Sequence, residues 1–274
     1  MYHISTFFTQ WCPTINALHY VSFRTIAGLL TTLFLFLCTG SWFIAKSRQF
    51  FRSKARENTP ESHRQKDDMP TMGGVLILAT TLISSLIWCD IANPLVWIFL
   101  VCLFGFGAIG FWDDWCKINK TKGISARYKF IAQWSVALLI VSAWVFIAGA
   151  KTTVTIPFFK NFNPDLGLLF IPWAAFILVS CSNAVNLTDG LDGLAIGSLI
   201  PNFATFSVIA YLAGHCALAD YLFIPFASTA EIAVMGAIMV GASLGFLWFN
   251  AYPAQIFMGD VGSLALGRVL RLWH

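Results

Sequence analysis

Stretches without Asp, Glu, Lys or Arg recur along the chain, and they set its predicted architecture. Seven of them can each hold the ~20 apolar residues that cross a bilayer as a helix. A helix also satisfies its own backbone hydrogen bonds where no water is present. These windows are Thr25–Ala45, Met69–Cys89, Ile91–Trp112, Phe130–Ala150, Leu166–Thr188, Gly193–Ala219 and Ile232–Gly259. Because another window begins at Val261, the pattern predicts an all-α, polytopic integral membrane helix bundle of seven complete spans plus a partial eighth.

Composition supports this class of protein. Apolar residues make up 58% of the chain and charged residues 11%, whereas a soluble domain has about 25% charged residues. The seven cysteines are scattered and form no CxxC pair, so they do not indicate a disulfide or zinc framework. We expect a lipid bilayer around the protein and no nucleic-acid partner.

The positive charges indicate the orientation of the spans. The loops Lys46–Lys66 and Lys117–Lys129 hold seven and five Lys or Arg residues, which is twelve of the 17 in the chain. Short loops rich in Lys and Arg stay on the cytoplasmic side of a membrane. We therefore expect both loops in the cytoplasm and the N-terminus outside.

Carboxylates follow the odd-numbered spans and share the predicted cytoplasmic face. A single Asp at a helix end is usually a cap or an interfacial charge, but three spans that end on one face can bring several to one site. The residues concerned are Asp113 and Asp114 after the third span, Asp189 and Asp192 after the fifth, and Asp260 after the seventh.

The pair formed by Asp113 and Asp114 fits the interfacial alternative poorly. Both lie at the C-terminal end of a span, where the helix dipole disfavours anions, and adjacent like charges repel. A cation should compensate. Lys117 lies three residues after Asp114, a spacing that brings side chains together on a helix, and carboxylate oxygens also suit Mg²⁺. The pair therefore favours a functional site.

Three glycine-rich segments lie at the same predicted face. In NLTDGLDGLA (Asn186–Ala195) glycines let backbone amides and carboxylates approach a ligand, or the Asp residues only cap the next helix. In FMGDVGS, Phe257 precedes Asp260 by three residues and is a candidate platform for a base, or an interfacial aromatic. The segment KDDMPTMGG offers Lys66 and Thr71, or serves only as a closely packed helix start.

PTMGG (70–74), Asp113–Asp114 with Lys117, NAVNLTDGLDGLA (183–195) and NAYPAQIFMGDVGSLALG (250–267) occur in this order. Together they resemble the phospho-N-acetylmuramoyl-pentapeptide transferase family, within the polyprenyl-phosphate N-acetylhexosamine-1-phosphate transferases. The resemblance implies an enzyme of the bacterial cytoplasmic (inner) membrane, with about ten spans and an active site facing the cytoplasm. Such an enzyme uses Mg²⁺ to transfer phospho-N-acetylmuramoyl-pentapeptide from UDP-MurNAc-pentapeptide to undecaprenyl phosphate, giving lipid I and UMP. The sequence leaves open whether the protein forms a homodimer.

By motif, the resemblance also implies roles for individual residues. Asp260 would be the magnesium ligand, and Asp113 and Asp114 the essential acidic pair, one of which deprotonates or positions the lipid phosphate. Lys117 would neutralise phosphate charge, which phosphoryl transfer requires together with alignment of the reacting oxygens. The nucleoside side of the pocket would consist of Lys66, Thr71, Asn186, Asp189, Asp192, Asn250 and Phe257.

The end of the chain departs from the family pattern. After Gly267 the sequence reads RVLRLWH, and arginines are expensive within a span. We therefore expect a single transmembrane transferase domain over 1–274, incomplete at its C-terminus. Three alternatives remain: an inactive membrane fragment without the family's histidine motif, a sibling UDP-GlcNAc:polyprenyl-phosphate GlcNAc-1-phosphate transferase, and a secondary transporter, whose charges would be expected near mid-membrane.

Overall fold

The computed structural model describes residues 18–50, 69–120, 123–154, 163–227 and 229–269. Within these ranges the chain forms nine α-helices and one short 3₁₀ turn, Gly167–Leu169. The helices are α1 (Val21–Phe50), α2 (Gly73–Trp88), α3 (Pro94–Lys120), α4 (Ala126–Phe146), α5 (Phe170–Thr188), α6 (Leu194–Ala213), α7 (Cys216–Tyr221), α8 (Ala230–Asn250) and α9 (Gly259–Val269).

Six of these helices are long and apolar enough to cross a membrane: α1, α3, α4, α5, α6 and α8. The predicted all-α membrane bundle is thus confirmed. The second predicted span is a helix of only 16 residues, α2, or ~24 Å at 1.5 Å per residue. That length is below the ~30 Å of the hydrocarbon layer, so the count of seven complete spans stays a prediction.

Helix α8 forms the centre of the bundle. Of its most apolar window 83% is buried, against 22% for α1 and for α4. It packs closely against α1, where a Cβ added to Gly241 would overlap the carbonyl of Leu29. Close approach through small residues is the usual means by which membrane helices pack. Helices α1, α6, α2 and α3 therefore pack around α8.

A buried ion pair ties the beginnings of α1 and α8 to the end of α2. Arg24, which directly precedes the first predicted window, Thr25–Ala45, lies in the first turn of α1 and is 3% exposed. Its guanidinium donates to both carboxylate oxygens of Glu231, at 2.9 and 2.6 Å, and to the carbonyl of Trp88 at 3.1 Å. The amide of Asp90 also donates to Glu231, at 2.9 Å. These contacts pair the two buried charges and link three helices.

At the opposite end of the bundle, the segment between α8 and α9 pairs with the chain that enters α2. The amide of Phe257 donates to the carbonyl of Pro70 at 3.0 Å, and the amide of Gly73 donates back to the carbonyl of Phe257 at 2.9 Å. Helix α9 then packs against α3 so closely that a Cβ on Gly110 would overlap the carbonyl of Asp260. This packing brings the start of α9 beside the last turns of α3.

Candidate active site and metal centre

Three carboxylates from distant parts of the sequence meet where α3 ends and α9 begins. Asp113 and Asp114 lie two turns before the end of α3, and Asp260 lies in the first turn of α9. One oxygen from each lies within 4.8 Å of the other two. The side chains of Asp113 and Asp114 are 4% and 6% exposed and that of Asp260 is 16% exposed. The predicted convergence of these carboxylates is present.

One oxygen of each carboxylate is held by a nearby amide donor. The backbone amide of Ile124 donates to Asp113 Oδ1 at 2.7 Å. The backbone amide of Val261 donates to Asp114 Oδ2 at 3.2 Å. Asn186 Nδ2 donates to Asp260 Oδ1 at 2.9 Å. The three remaining oxygens are therefore the ones available to cations.

Two lysine ammonium groups contact those remaining oxygens. Lys117 Nζ lies 2.8 Å from Asp113 Oδ2, 3.4 Å from Asp114 Oδ1 and 3.0 Å from Asp260 Oδ2. Lys129 Nζ lies 3.3 Å from Asp113 Oδ2 and also contacts Asp260 Oδ2. Three carboxylates and two ammonium groups leave one net negative charge, which favours binding of a further cation.

Lys117 was predicted from the sequence as a site residue, whereas Lys129 was not and counted only as part of a basic loop. The two differ in burial, since the side chain of Lys129 is 17% exposed and that of Lys117 is 42% exposed. The only available signal was the position of Lys129 in the sequence, directly before Phe130, where an apolar window begins. Which side of α4 it occupies depended on the packing of α4 against its neighbours.

The charge of Asp260 is stabilised by its surroundings. Burial of this carboxyl favours its neutral form, but the ammonium groups of Lys117 and Lys129 act in the other direction. Their positive charges hold the pKa of Asp260 below its usual range. The group is therefore ionised at neutral pH. Because all three Asp side chains offer hard oxygen donors, the site fits Mg²⁺.

The pKa of Asp189, which directly follows α5, is shifted in the opposite direction from that of Asp260. Burial raises its pKa to about 7, and the negative charges of Asp260 and Asp114 contribute to the rise. Within the part of the chain that the structure describes, its carboxyl has no hydrogen-bond or ion-pair partner. A partly buried carboxyl of this kind beside a charged cluster is typical of ligand-binding sites.

Two other predicted site residues link the glycine-rich loops to each other. Asn250 Oδ1 accepts from the amide of Gly193 at 3.0 Å, and Asn250 Nδ2 donates to the carbonyl of Ile256 at 2.8 Å. Asp192 Oδ2 accepts from the amide of Ala254 at 3.3 Å. Both polar groups of Asn250 are thus engaged by backbone, which positions the two loops.

The remaining predicted residues border the cluster or lie outside the described chain. Gly259 has a left-handed φ of 74°, and a Cβ on it would lie 2.5 Å from Asp114 Oδ2 and 3.1 Å from Thr71 Oγ1. Thr71 therefore borders the acidic cluster. Phe257 is half-buried and precedes α9 by two residues. Lys66 lies outside the described residues.

Comparisons with known proteins show the family of the chain. The family model described as glycosyl transferase family 4 matches residues 96–273. A phospho-N-acetylmuramoyl-pentapeptide-transferase of Citrifermentans bemidjiense is 43% identical over 98% of the chain and 76% of the relative's length. Proteins of the same name from Pelobacter propionicus and Solidesulfovibrio magneticus are 44% and 45% identical, covering 98% and 93% of the chain and 76% and 72% of their own lengths. The chain therefore belongs to glycosyl transferase family 4, among the phospho-N-acetylmuramoyl-pentapeptide-transferases.

Proposed function

We propose that the protein is a Mg²⁺-dependent phosphoglycosyl transferase of peptidoglycan biosynthesis. It transfers phospho-N-acetylmuramoyl-pentapeptide from UDP-MurNAc-pentapeptide to undecaprenyl phosphate and produces lipid I and UMP. The observation that carries this proposal is the meeting of three carboxylates and two ammonium groups in a chain whose relatives bear that enzyme's name.

The reaction exchanges one phosphoanhydride for another. An oxygen of the acceptor phosphate forms a bond to the phosphorus next to the sugar, and the bond from that phosphorus to UMP breaks. Such a transfer depends on alignment of two anionic groups and neutralisation of their charge. The site is suited to this, because its cations and carboxylates lie within 4.8 Å of each other or in direct contact.

The carboxylates and the lysines have different roles in this proposal. Asp260, with Asp113 and Asp114, would hold Mg²⁺, which when bound neutralises charge on the diphosphate. Lys117 and Lys129 exchange part of their carboxylate contacts for phosphate oxygens. Either Asp113 or Asp114 then takes a proton from the acceptor phosphate or orients it.

The nucleoside binds on the side of the cluster formed by the loops that follow α5 and α8. Asp189 is proposed to accept from the single N–H group of the uracil, N3–H, since its carboxyl has no partner in the described chain. Phe257 is proposed to stack on the base. Asn186 and Thr71 border the phosphates. Asp192, Asn250 and Lys66 complete this side, with Asn250 and Asp192 acting through the loops that they hold.

We place the protein in the bacterial inner membrane with this site facing the cytoplasm. The basic loops Lys46–Lys66 and Lys117–Lys129 support this orientation, and Asp113 and Asp114 lie near the end of α3, directly before Lys117. Cysteines introduced at Glu57 and at Gly190 should be labelled by a membrane-impermeant maleimide only after cell lysis. Labelling of either in intact cells would contradict the orientation.

A substrate comparison tests the function itself. The purified protein in detergent, given undecaprenyl phosphate and Mg²⁺, should release UMP and form a lipid-linked product from UDP-MurNAc-pentapeptide and not from UDP-GlcNAc. Turnover of UDP-GlcNAc alone would assign the chain to the sibling transferases. If neither nucleotide is turned over by protein that retains its helical circular dichroism, the proposed function is wrong.

A further inference from the structure

A second polar contact joins α4 and α5 one helical turn away from the acidic cluster. Asn183 Nδ2 donates to Gln133 Oε1 at 2.8 Å and to the carbonyl of Val179 at 2.8 Å. Gln133 is 1% exposed. It is the only polar side chain among the buried residues of α4, which are otherwise Ala137, Ile140 and Val141. An amide is thus buried where apolar side chains would pack.

The same two helices supply donors to Asp260. Lys129 lies four residues before Gln133 on α4, and Asn186 lies three residues after Asn183 on α5. Residues with these spacings share one helix face. Lys129 and Asn186 both contact Asp260. The amide pair therefore joins α4 and α5 directly below the two side chains that reach the cluster.

This contact has more effect on helix register than on stability. Interhelical hydrogen bonds in membranes contribute little free energy, because the separated helices find other partners. The hydrogen bond nevertheless fixes the direction of the two side chains, because a shift of one residue rotates a helical side chain by ~100°. Within the described residues Gln133 Nε2 already lacks a partner, so the shift would leave Oε1 buried and unbonded as well. Apolar side chains at these positions could pack in several registers.

We propose that Gln133 and Asn183 are positioning residues of the transfer reaction. Their amide–amide hydrogen bond sets the rotation and register of α4 against α5, and so holds Lys129 and Asn186 against Asp260. The effect on the reaction rests on the proposed function, whereas the effect on helix register does not.

Enzyme kinetics test the effect of the pair on the reaction. Gln133→Leu and Asn183→Leu should each lower kcat by roughly 10- to 100-fold, as expected when a reacting group is misplaced, with KM for the nucleotide within about twofold of wild type. The exchange Gln133→Asn with Asn183→Gln keeps the combined length of the pair and should restore most of the activity. Ser207→Ala is the control, because Ser207 makes a buried contact of 2.7 Å to the Ala233 carbonyl between α6 and α8.

A distance measurement tests the effect of the pair on helix register, without any substrate. Tyr128 on α4 and Leu187 on α5 are 72% and 84% exposed and adjoin Lys129 and Asn186. Nitroxide labels on cysteines at these two positions, in a background without the native cysteines, should give a narrow distance distribution in the wild type. The two leucine variants should broaden or shift it, and the exchanged pair should restore it.

The possible outcomes distinguish the effect on the reaction from the effect on helix register. An unchanged distance distribution in both leucine variants would overturn the proposal, and so would an altered distribution with wild-type kcat. If the wild-type chain releases no UMP, the proposed function fails, and the distance measurement alone decides whether the pair sets the register. Should the leucine variants fail to fold, Gln133→Asn alone shortens the contact while keeping a polar side chain, and it provides the same test.

Discussion

Lys129 Nζ contacts Asp260 Oδ2 across 131 positions of the sequence. Helix α4, which carries the lysine, packs mainly against α3 and α5, whereas α9, which carries the aspartate, packs mainly against α3, α5 and α2. The contact therefore joins two helices through the acidic cluster and not through their own packing. A change that moves α4 against α5 therefore alters the contacts that Lys129 and Asn186 make with Asp260.

The carboxylate of Asp260 should be essential for metal-dependent turnover. Asp260→Asn keeps the size of the side chain and removes the charge, so Mg²⁺ should bind more weakly. Because loss of even an outer-shell partner costs 10- to 100-fold in metal affinity or activity, we expect kcat to fall by roughly 100-fold or more. UMP release across a magnesium titration measures this. Normal turnover with normal magnesium dependence would move the metal assignment to Asp113 or Asp114.

Lys129 should be required for turnover although it was not apparent from the sequence. Lys129→Met keeps the apolar stem and removes a partly buried charge-assisted contact. Such a contact contributes about 1.5–3 kcal/mol, so kcat should fall by roughly 10- to 100-fold. Lys151→Met is the matched control, because Lys151 is exposed and lies after the far end of α4. Equal rates in the two variants would show that Lys129 only neutralises charge in the folded protein.

Asp189 should make stability fall as pH rises. Its pKa is raised from 3.8 to about 7 by burial, so between these values the unfolded chain is ionised while the folded protein keeps the proton. The folded state then binds more protons than the unfolded state, and stability decreases with pH through this window. Without nucleotide or divalent cation, Asp189→Asn should become progressively more stable than wild type between pH 4 and 7.

Thermal unfolding of the detergent-solubilised protein, followed by circular dichroism, measures this difference. A difference for Asp189→Asn that does not change with pH would show that Asp189 is ionised throughout.

The Arg24–Glu231 pair should matter for stability and not for the acidic cluster. Glu231→Gln leaves the buried guanidinium without its counter-charge, which costs roughly 3–5 kcal/mol in known cases. The double variant Arg24→Met/Glu231→Met should recover much of the lost stability, because replacing both charges by apolar groups is often neutral. Thermal unfolding checks this. A double variant no more stable than Glu231→Gln would contradict it.

Much of the candidate site was predictable because its signals are local. Asp113 and Asp114 stand beside an apolar window, and Asp260 stands between two glycines, so each is visible without knowing its spatial neighbours. Lys129 and the pair Gln133–Asn183 carry no comparable signal. A lysine in a basic loop and an amide in an apolar span look the same whether they face a neighbouring helix or the lipid.

The sequence by itself determined the membrane class, the helical architecture and the residues of the acidic cluster, because the length of apolar runs and the segregation of charge are properties of neighbouring positions. Only the tertiary structure decided that α2 has 16 residues, that Arg24 lies inside α1 against Glu231, and that Asn250 holds two loops. It also decided which lysines reach the carboxylates. These features depend on the rotation of one helix against another, and that rotation is set by side-chain packing between segments far apart in the chain.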